Sequence, residues 1–293
     1  MITCNLMGGL GNQMFQIFVT ISYAIKNKQK FQFLNVDTLG GNGCTQRNTY
    51  WKSFFHRLHL FLINEYSKDI ELIREKGFRF DILSTRKPIP NRNYLLYGYF
   101  QSYKYFQDNY VSICKMIGLE EMKMKLFEKL KTMKNSNNNI IQFDLNNLNN
   151  CISMHFRIGD YKNIQQYHPL TTYEYYVNSL QFIQKQHPET KFTILYFCED
   201  VDIKDVMEKI DKLEKEFPDY SFIRGENSLE DWEQMLYMSC CHHNIIANST
   251  FSWWAAYLNS WSDKIVCYPE VWFGPSANHN TEDLCPENWI KVI

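Results

Sequence analysis

Charge of either sign is barely in excess in this chain: 31 Lys and Arg face 32 Asp and Glu, a net of -1 at pH 7. That balance excludes a nucleic-acid groove and a surface drawn broadly to anionic membranes, so any phosphate site must be local. A long apolar run is also missing. The opening stretch MITCNLMGGLGNQMF has no basic flank, which predicts neither a signal peptide nor a membrane anchor, and a soluble chain. Nine cysteines follow no repeated CxxC spacing, which predicts reduced thiols in a cytosolic-type compartment. No internal repeat is present, no lysine follows Gly11 to make an ATPase loop, and no nucleophile elbow is evident. What the chain does hold is apolar material. Hydrophobic residues make up 45% of 293 residues, enough for the cores of two domains.

Ile2 to Leu6 reads as a short strand, followed by a glycine turn from Gly8 to Gly11 and a helical stretch carrying Phe15, Phe18, Val19 and Ile25. Between about Thr38 and Arg92 the pattern is irregular and aromatic-rich, and it yields no assignment. Glu120 to Lys134 is helical, with Leu126, Leu130 and Met133 on one stripe and its lysines on a solvated face. The asparagine-dense stretch from Asn135 to Asn150 marks a surface crossing, so a boundary is placed there, with lobes of 1–150 and 151–293. Beyond it strands and helices alternate, from the strand Cys151 to Phe156 onward. The helix Ser228 to Cys240 is expected to start on a capping box made by Ser228 and Asp231. Alternation of this kind predicts an α/β fold with a parallel sheet wrapped on both faces.

Three segments could carry chemistry. The first is HFRIGDY, from His155 to Tyr161, at the carboxyl end of an apolar strand, where open α/β sheets bind ligands. Arg157 offers a planar fork of donors suited to phosphate, and Asp160 can orient it; a surface ion pair would use the same residues. The second is ANSTFSWWAAYL, in which Asn248, Ser249 and Thr250 lie between a strand and an apolar helix. They can cap that helix, or leave its first amides to an anion. The third is MGGLGNQMFQ, where Gly9 allows close backbone approach and Asn12 adds an amide. Asp200, Val201 and Asp202 form a DxD string open to a metal reading, although carboxylates at a helix start need no metal. Cys240, Cys241, His242 and His243 are zinc-type ligands on four consecutive positions, whose side chains diverge too far for one tetrahedral ion.

Taken together, GGLGNQMFQ, LYGYFQSYKYF, HFRIGDY, HPLTTYEYY and NSTFSWWAAYL resemble, in order from Gly8 to Leu258, the α-1,2-fucosyltransferases of glycosyltransferase family 11, with WFGP at Trp272 to Pro275 a weaker match. The resemblance implies a GT-B type α/β fold with two Rossmann-like lobes and an interlobe cleft, 1–150 being the N-terminal acceptor-side lobe and 151–293 the C-terminal GDP-sugar-binding lobe. It also implies an inverting enzyme that moves L-fucose from GDP-fucose to the 2-hydroxyl of a galactoside-type acceptor sugar, forming an α-1,2 linkage. No cofactor and no metal are implied. The partners are a GDP-sugar donor and an oligosaccharide or glycan acceptor; a lipid-linked acceptor would bring peripheral membrane association. The family usually carries a second arginine directly after the first, and here that position is Ile158. Animal members have a membrane anchor, so this chain is similar to the soluble, cytoplasmic, microbial or viral type.

Under that resemblance Arg157 stabilises the charge growing on the β-phosphate, helped by Ser249, Thr250 and the amides of their helix start. His155 contacts the nucleotide or is a core histidine at a strand end. Asp231 is a candidate for the guanine hydrogens, and Asn248 and Gly9 are further nucleotide-side candidates. Asp160 is the first candidate for general base and Glu174 the second, with an unassisted late proton transfer as the alternative. Tyr97, Tyr99, Phe100 and Tyr103 are aromatic enough to stack on sugar rings or to form core. The competing readings are the same fold acting on another GDP-sugar or an unusual acceptor such as rhamnose, and a non-catalytic glycan-binding relative.

Overall fold

The computed structural model describes residues 1–40, 45–83, 88, 89, 91–136 and 148–293. It divides into two compact units, Met1–Met122 with His279–Glu287, and Lys123–Asn278 with Asn288–Ile293. The expected boundary near 150 and this division at 122/123 differ, because the dividing point falls early in one continuous helix. Residues 137–147 of the asparagine-dense stretch lie outside the described residues.

In the first unit, β1 (Ile2–Cys4) leads through a glycine turn into α1 (Leu10–Lys26). The strand is shorter than the sequence suggests, and the helix starts inside the expected turn. Phe15 and Phe18 of α1 are fully buried and meet the ring of Phe106 at 6.0 and 5.5 Å. The stretch that gave no assignment contributes β2 (Ile70–Arg74), which pairs in parallel with β3 (Asn93–Tyr97). The sheet order is β1-β3-β2, all parallel. Two further helices follow, α2 (Tyr110–Ile117) and α3 (Leu119–Ser136), and Leu126 and Leu130 are buried as the apolar stripe predicted.

The second unit alternates strand and helix up to its last two strands, which follow one another. Its elements are β4 (Cys151–His155), α4 (Tyr173–Gln186), β5 (Thr193–Phe197), α5 (Ile203–Glu216), β6 (Ser221–Arg224), α6 (Asp231–Cys240), β7 (His243–Ile245), α7 (Thr250–Tyr257), β8 (Val266–Pro269) and β9 (Ile290–Val292). All pairings are parallel, in the order β6-β5-β4-β7-β8-β9. Strand order therefore reverses between β4 and β7, the switch point where doubly wound sheets bind ligands. β4 is buried along its whole length because its side chains alternate between two faces that are both covered. Ile152, Met154, Phe156 and Ile158 join an apolar cluster with Tyr176, Leu180, Val206 and Ile210 of α4 and α5. Residues of the other parity turn to the opposite face: Ser153 accepts from the Asn244 amide at 2.7 Å, and the His155 ring lies 5.6 Å from Phe251. Trp253 and Trp254 of α7 are fully buried, core residues as their all-round apolar helix predicts.

The capping box of α6 is not the expected one. Glu230 caps the helix, reciprocated by Glu233, whose carboxylate accepts from the Glu230 amide at 3.0 Å. Ser228 is spent locally, its hydroxyl donating to Glu226 at 2.7 Å. Among the described residues no helix is long and apolar enough to cross a membrane.

Candidate functional site

The loops that leave β4, β5, β7 and β8 meet at the carboxyl edge of the second unit's sheet. After β4 the backbone amide of Phe156 bonds Phe197 O at 2.9 Å, which carries the pairing one residue past the strand. Gly159 then turns the chain with φ of +26, and its amide donates to the buried carboxylate of Asp202 at 2.7 Å. Asp202 thus belongs to the architecture of the turn. Asp200 is bound by the guanidinium of Arg224 and by the Asn227 amide at 3.2 Å, and these donors hold its carboxyl below the usual carboxylate range. The DxD string is accordingly engaged within the protein.

Arg157 is largely buried and bound at both ends of its fork, one nitrogen on Glu199 and the other on Asp160. Its guanidinium also lies over the Tyr161 ring, 5.0 Å from the centroid. Burial works against its charge, and Glu199 with Asp160 outweighs it, so the group is held above its ordinary value. The neighbouring His155 goes the other way. It is buried, and desolvation, with Arg157 adding to it, pushes the imidazole down to about 3, so the ring is neutral at physiological pH. Its Nδ1 is buried and has no hydrogen-bond partner among the described residues.

The second segment is locked to the first. Tyr161 donates its hydroxyl to Asn248 O at 3.2 Å, and the Asn248 side-chain amide donates to Pro169 O at 2.9 Å and Trp272 O at 3.1 Å. Asn248 is therefore a strut between loops and not a cap. Ser249 is the N-cap of α7, its Oγ accepting from the Phe251 amide at 3.3 Å, and Thr250 begins the helix. The WFGP segment closes the group: Gly274 donates to Tyr167 O at 2.8 Å, and the Phe273 ring lies 5.4 Å from His168, which stacks on Tyr161 at 4.7 Å.

The structure thus brings together Arg157, Asp160, His155, Asn248 and Ser249, with Thr250 following on α7. Glu174 stands exposed in the first turn of α4, and Asp231 in the first turn of α6, where it accepts from the Trp232 amide at 2.7 Å. Gly9 and Asn12 belong to the first unit. Gly9 is the N-cap position of α1, and the Asn12 carbonyl accepts from Gln101 at 3.0 Å. Sequence reasoning missed Glu199, the residue that holds the far side of the Arg157 fork; its signal was a carboxylate two residues past the neighbouring strand. Ile158 is buried among the α4 and α5 side chains, so the position that departs from the family pattern faces the apolar core. His243 is fully buried and His242 nearly so, their rings stacked 4.0 Å apart, and among the described residues no three His, Cys, Asp or Glu side chains are grouped to hold a metal ion.

Comparison with known proteins adds three findings. The profile of Glycosyl transferase family 11 matches residues 1–292. Two curated relatives from Escherichia coli are each 27% identical. One is an O-antigen biosynthesis glycosyltransferase, WbnK, aligned over all of both chains; the other is an alpha-1,2-colitosyltransferase, aligned over 99% of this chain and 98% of its own. Among solved structures, a mutant of Arabidopsis thaliana FUT1 in complex with GDP matches with a TM-score of 0.50 at 10% identity, covering 94% of this chain and 71% of that one. The likeness is one of fold: α/β, of the GT-B kind.

Proposed function

Because the chain belongs to glycosyl transferase family 11, we propose that it is an inverting glycosyltransferase that needs no metal. It moves L-fucose from GDP-fucose to the 2-hydroxyl of a galactoside-type acceptor and acts in the cytoplasm. The observation that carries the reading is the pairing at the switch point. The carboxyl end of β4 presents an oriented, ionised Arg157, and the carboxyl end of β7 presents the start of a helix capped by Ser249.

As the bond between sugar and GDP breaks, negative charge grows on the β-phosphate and the sugar gains oxocarbenium character. Arg157 meets that charge, with the first amides of α7 and the Thr250 hydroxyl as helpers. A fixed donor of this kind contributes about 3 to 4 kcal/mol in the transition state. His155, neutral and with an unsatisfied Nδ1, is suited to a hydrogen bond with the nucleotide. Asp160 takes the acceptor's proton, and Glu174 is the alternative base.

A second reading keeps the mechanism and changes the donor. Ile158 in place of the family's second arginine, and a relative named for colitosyl transfer, favour another GDP-sugar. One assay separates the readings: GDP release from GDP-fucose with a panel of galactosides and rhamnosides, with and without EDTA. Acceptor-dependent release that EDTA leaves unchanged supports the first reading, release abolished by EDTA removes the metal-free mechanism, and no release with any acceptor favours the other donor or a non-catalytic relative.

A further inference from the structure

Two consecutive phenols of α4 stand outside the phosphate site, yet both reach the carboxyl edge of the second unit's sheet. Thr172 caps the helix, its hydroxyl accepting from the Tyr175 amide at 3.2 Å, and the turn that follows carries Tyr175 and Tyr176. Their positions begin the buried stripe that continues through Ser179, Leu180 and Ile183, so both rings belong to the face that α4 buries. Consecutive residues of a helix point about 100° apart, and the two side chains diverge accordingly.

Tyr176 donates its hydroxyl to the carbonyl of His155, the last residue of β4, at 3.0 Å. Tyr175 has a single hydrogen and shares it between Ile246 O at 2.7 Å, just past β7, and Cys267 O at 2.8 Å, within β8. One phenol thus bonds β4 and the other bonds β7 and β8, on the two sides of the place where strand order reverses. That is where a doubly wound sheet opens its ligand crevice, and one helix is bonded to both sides of it. Each carbonyl is close in sequence to the site: His155 lies two residues before Arg157, and Ile246 two before Asn248 and three before Ser249.

Packing alone does not call for either hydroxyl. Both rings are buried; Tyr176 lies 4.4 Å from the Phe156 ring and meets Tyr175 edge-on at 5.1 Å. Phenylalanine would keep these ring contacts and delete only the bonds to the strand ends. A buried hydroxyl is costly unless it is bonded, so what distinguishes tyrosine here is the carbonyl it holds.

We propose that Tyr175 and Tyr176 are positioning residues for the transfer: together they set the spacing between the ends of β4 and β7, and so the place of Arg157 relative to the helix start at Ser249. They touch neither donor nor acceptor and act through the His155 and Ile246 carbonyls. Arg157 and the first amides of α7 have to meet one phosphate group at the same time, and a shift of about 1 Å in either loop undoes that. The inference rests on the glycosyltransferase reading and deepens it.

GDP affinity, measured by calorimetry in a thermodynamic cycle, tests the role with no choice of sugar or acceptor. Tyr176→Phe should weaken GDP binding about fivefold in the wild-type background, and by less than about twofold when Arg157→Ala is already present, because the hydroxyl acts through Arg157. Tyr175→Phe should give a similar loss in the same cycle. The double variant should lose little more than either single one, since one spacing is broken in each case. Tyr173→Phe is the control: its hydroxyl, on the same helix, donates to Glu216 at 2.6 Å and to no strand end, and its loss should leave GDP affinity unchanged. Equal losses with and without Arg157 would make the two tyrosines merely structural, and no loss in either variant would detach them from the site; each result overturns the proposal. Wild type that binds no GDP would instead overturn the glycosyltransferase reading beneath it.

Discussion

Glu199, at the carboxyl end of β5, holds the guanidinium of Arg157, at the carboxyl end of β4. Two adjacent strands thereby fix one cation beside the switch point. Glu199 is half-exposed, so the pair is worth about 1 kcal/mol at most. Glu199→Ala is expected to weaken GDP binding about fivefold by calorimetry, since about 1 kcal/mol is a factor of about five. Glu199→Gln, which keeps an oxygen acceptor, should lose less. Tighter GDP binding in either variant would mean that Glu199 competes with phosphate instead of positioning its partner.

Asp160 holds the other end of the fork, and this allows its two proposed roles to be separated. Asparagine at 160 can still accept from Arg157 through its carbonyl oxygen but cannot take a proton. If Asp160 is the base, Asp160→Asn should lower turnover by about a hundredfold and remove the acid limb of the pH profile, with GDP affinity unchanged. Full turnover with an unaltered profile would move the role to Glu174 or to unassisted transfer.

Two buried imidazoles predict acid sensitivity. His155 and His243 are both held down to about 3, chiefly by burial. Arg157 adds to the effect for His155; His242 and His187 add to it for His243, partly opposed by Asp263. An unfolded histidine takes up its proton near its ordinary value of about 6.5. Between that value and 3 the unfolded chain therefore holds more protons, and stability falls as pH falls through this window. Each histidine should steepen the loss by about 1.4 kcal/mol per pH unit below about pH 6. Urea midpoints measured from pH 7 to pH 4 check this, and a His243→Gln variant should show a shallower slope than wild type. Equal slopes would show that other groups dominate acid unfolding.

The central strands and the helices of the second unit were legible because they bury apolar faces in a regular period, whereas the strands Ser221–Arg224, Val266–Pro269 and Ile290–Val292 were not assigned, the first having no buried residue at all. Cys151 to His155 and Thr193 to Phe197 are short runs in which nearly every residue is buried. Much of the first unit was not. Ile70–Arg74 is an edge strand with no fully buried residue, so neither alternation nor an apolar run marks it. Glu199 escaped for a related reason: it acts on a partner 42 residues away in sequence, through a strand neighbour that only the sheet order reveals. Arg157 could be singled out as a candidate because its loop follows a strand that can be read directly. Asn248 could be read as a helix cap, but its side chain runs instead to Pro169 and Trp272, which the sequence leaves far apart.

The central claim is that Arg157 stabilises the departing phosphate, and single-turnover GDP release at saturating donor tests it most directly. Arg157→Ala should slow release by about a hundredfold or more, and Arg157→Lys should not restore it, because a point charge cannot reproduce the fork held between Glu199 and Asp160. Near-normal release in both variants would contradict the account.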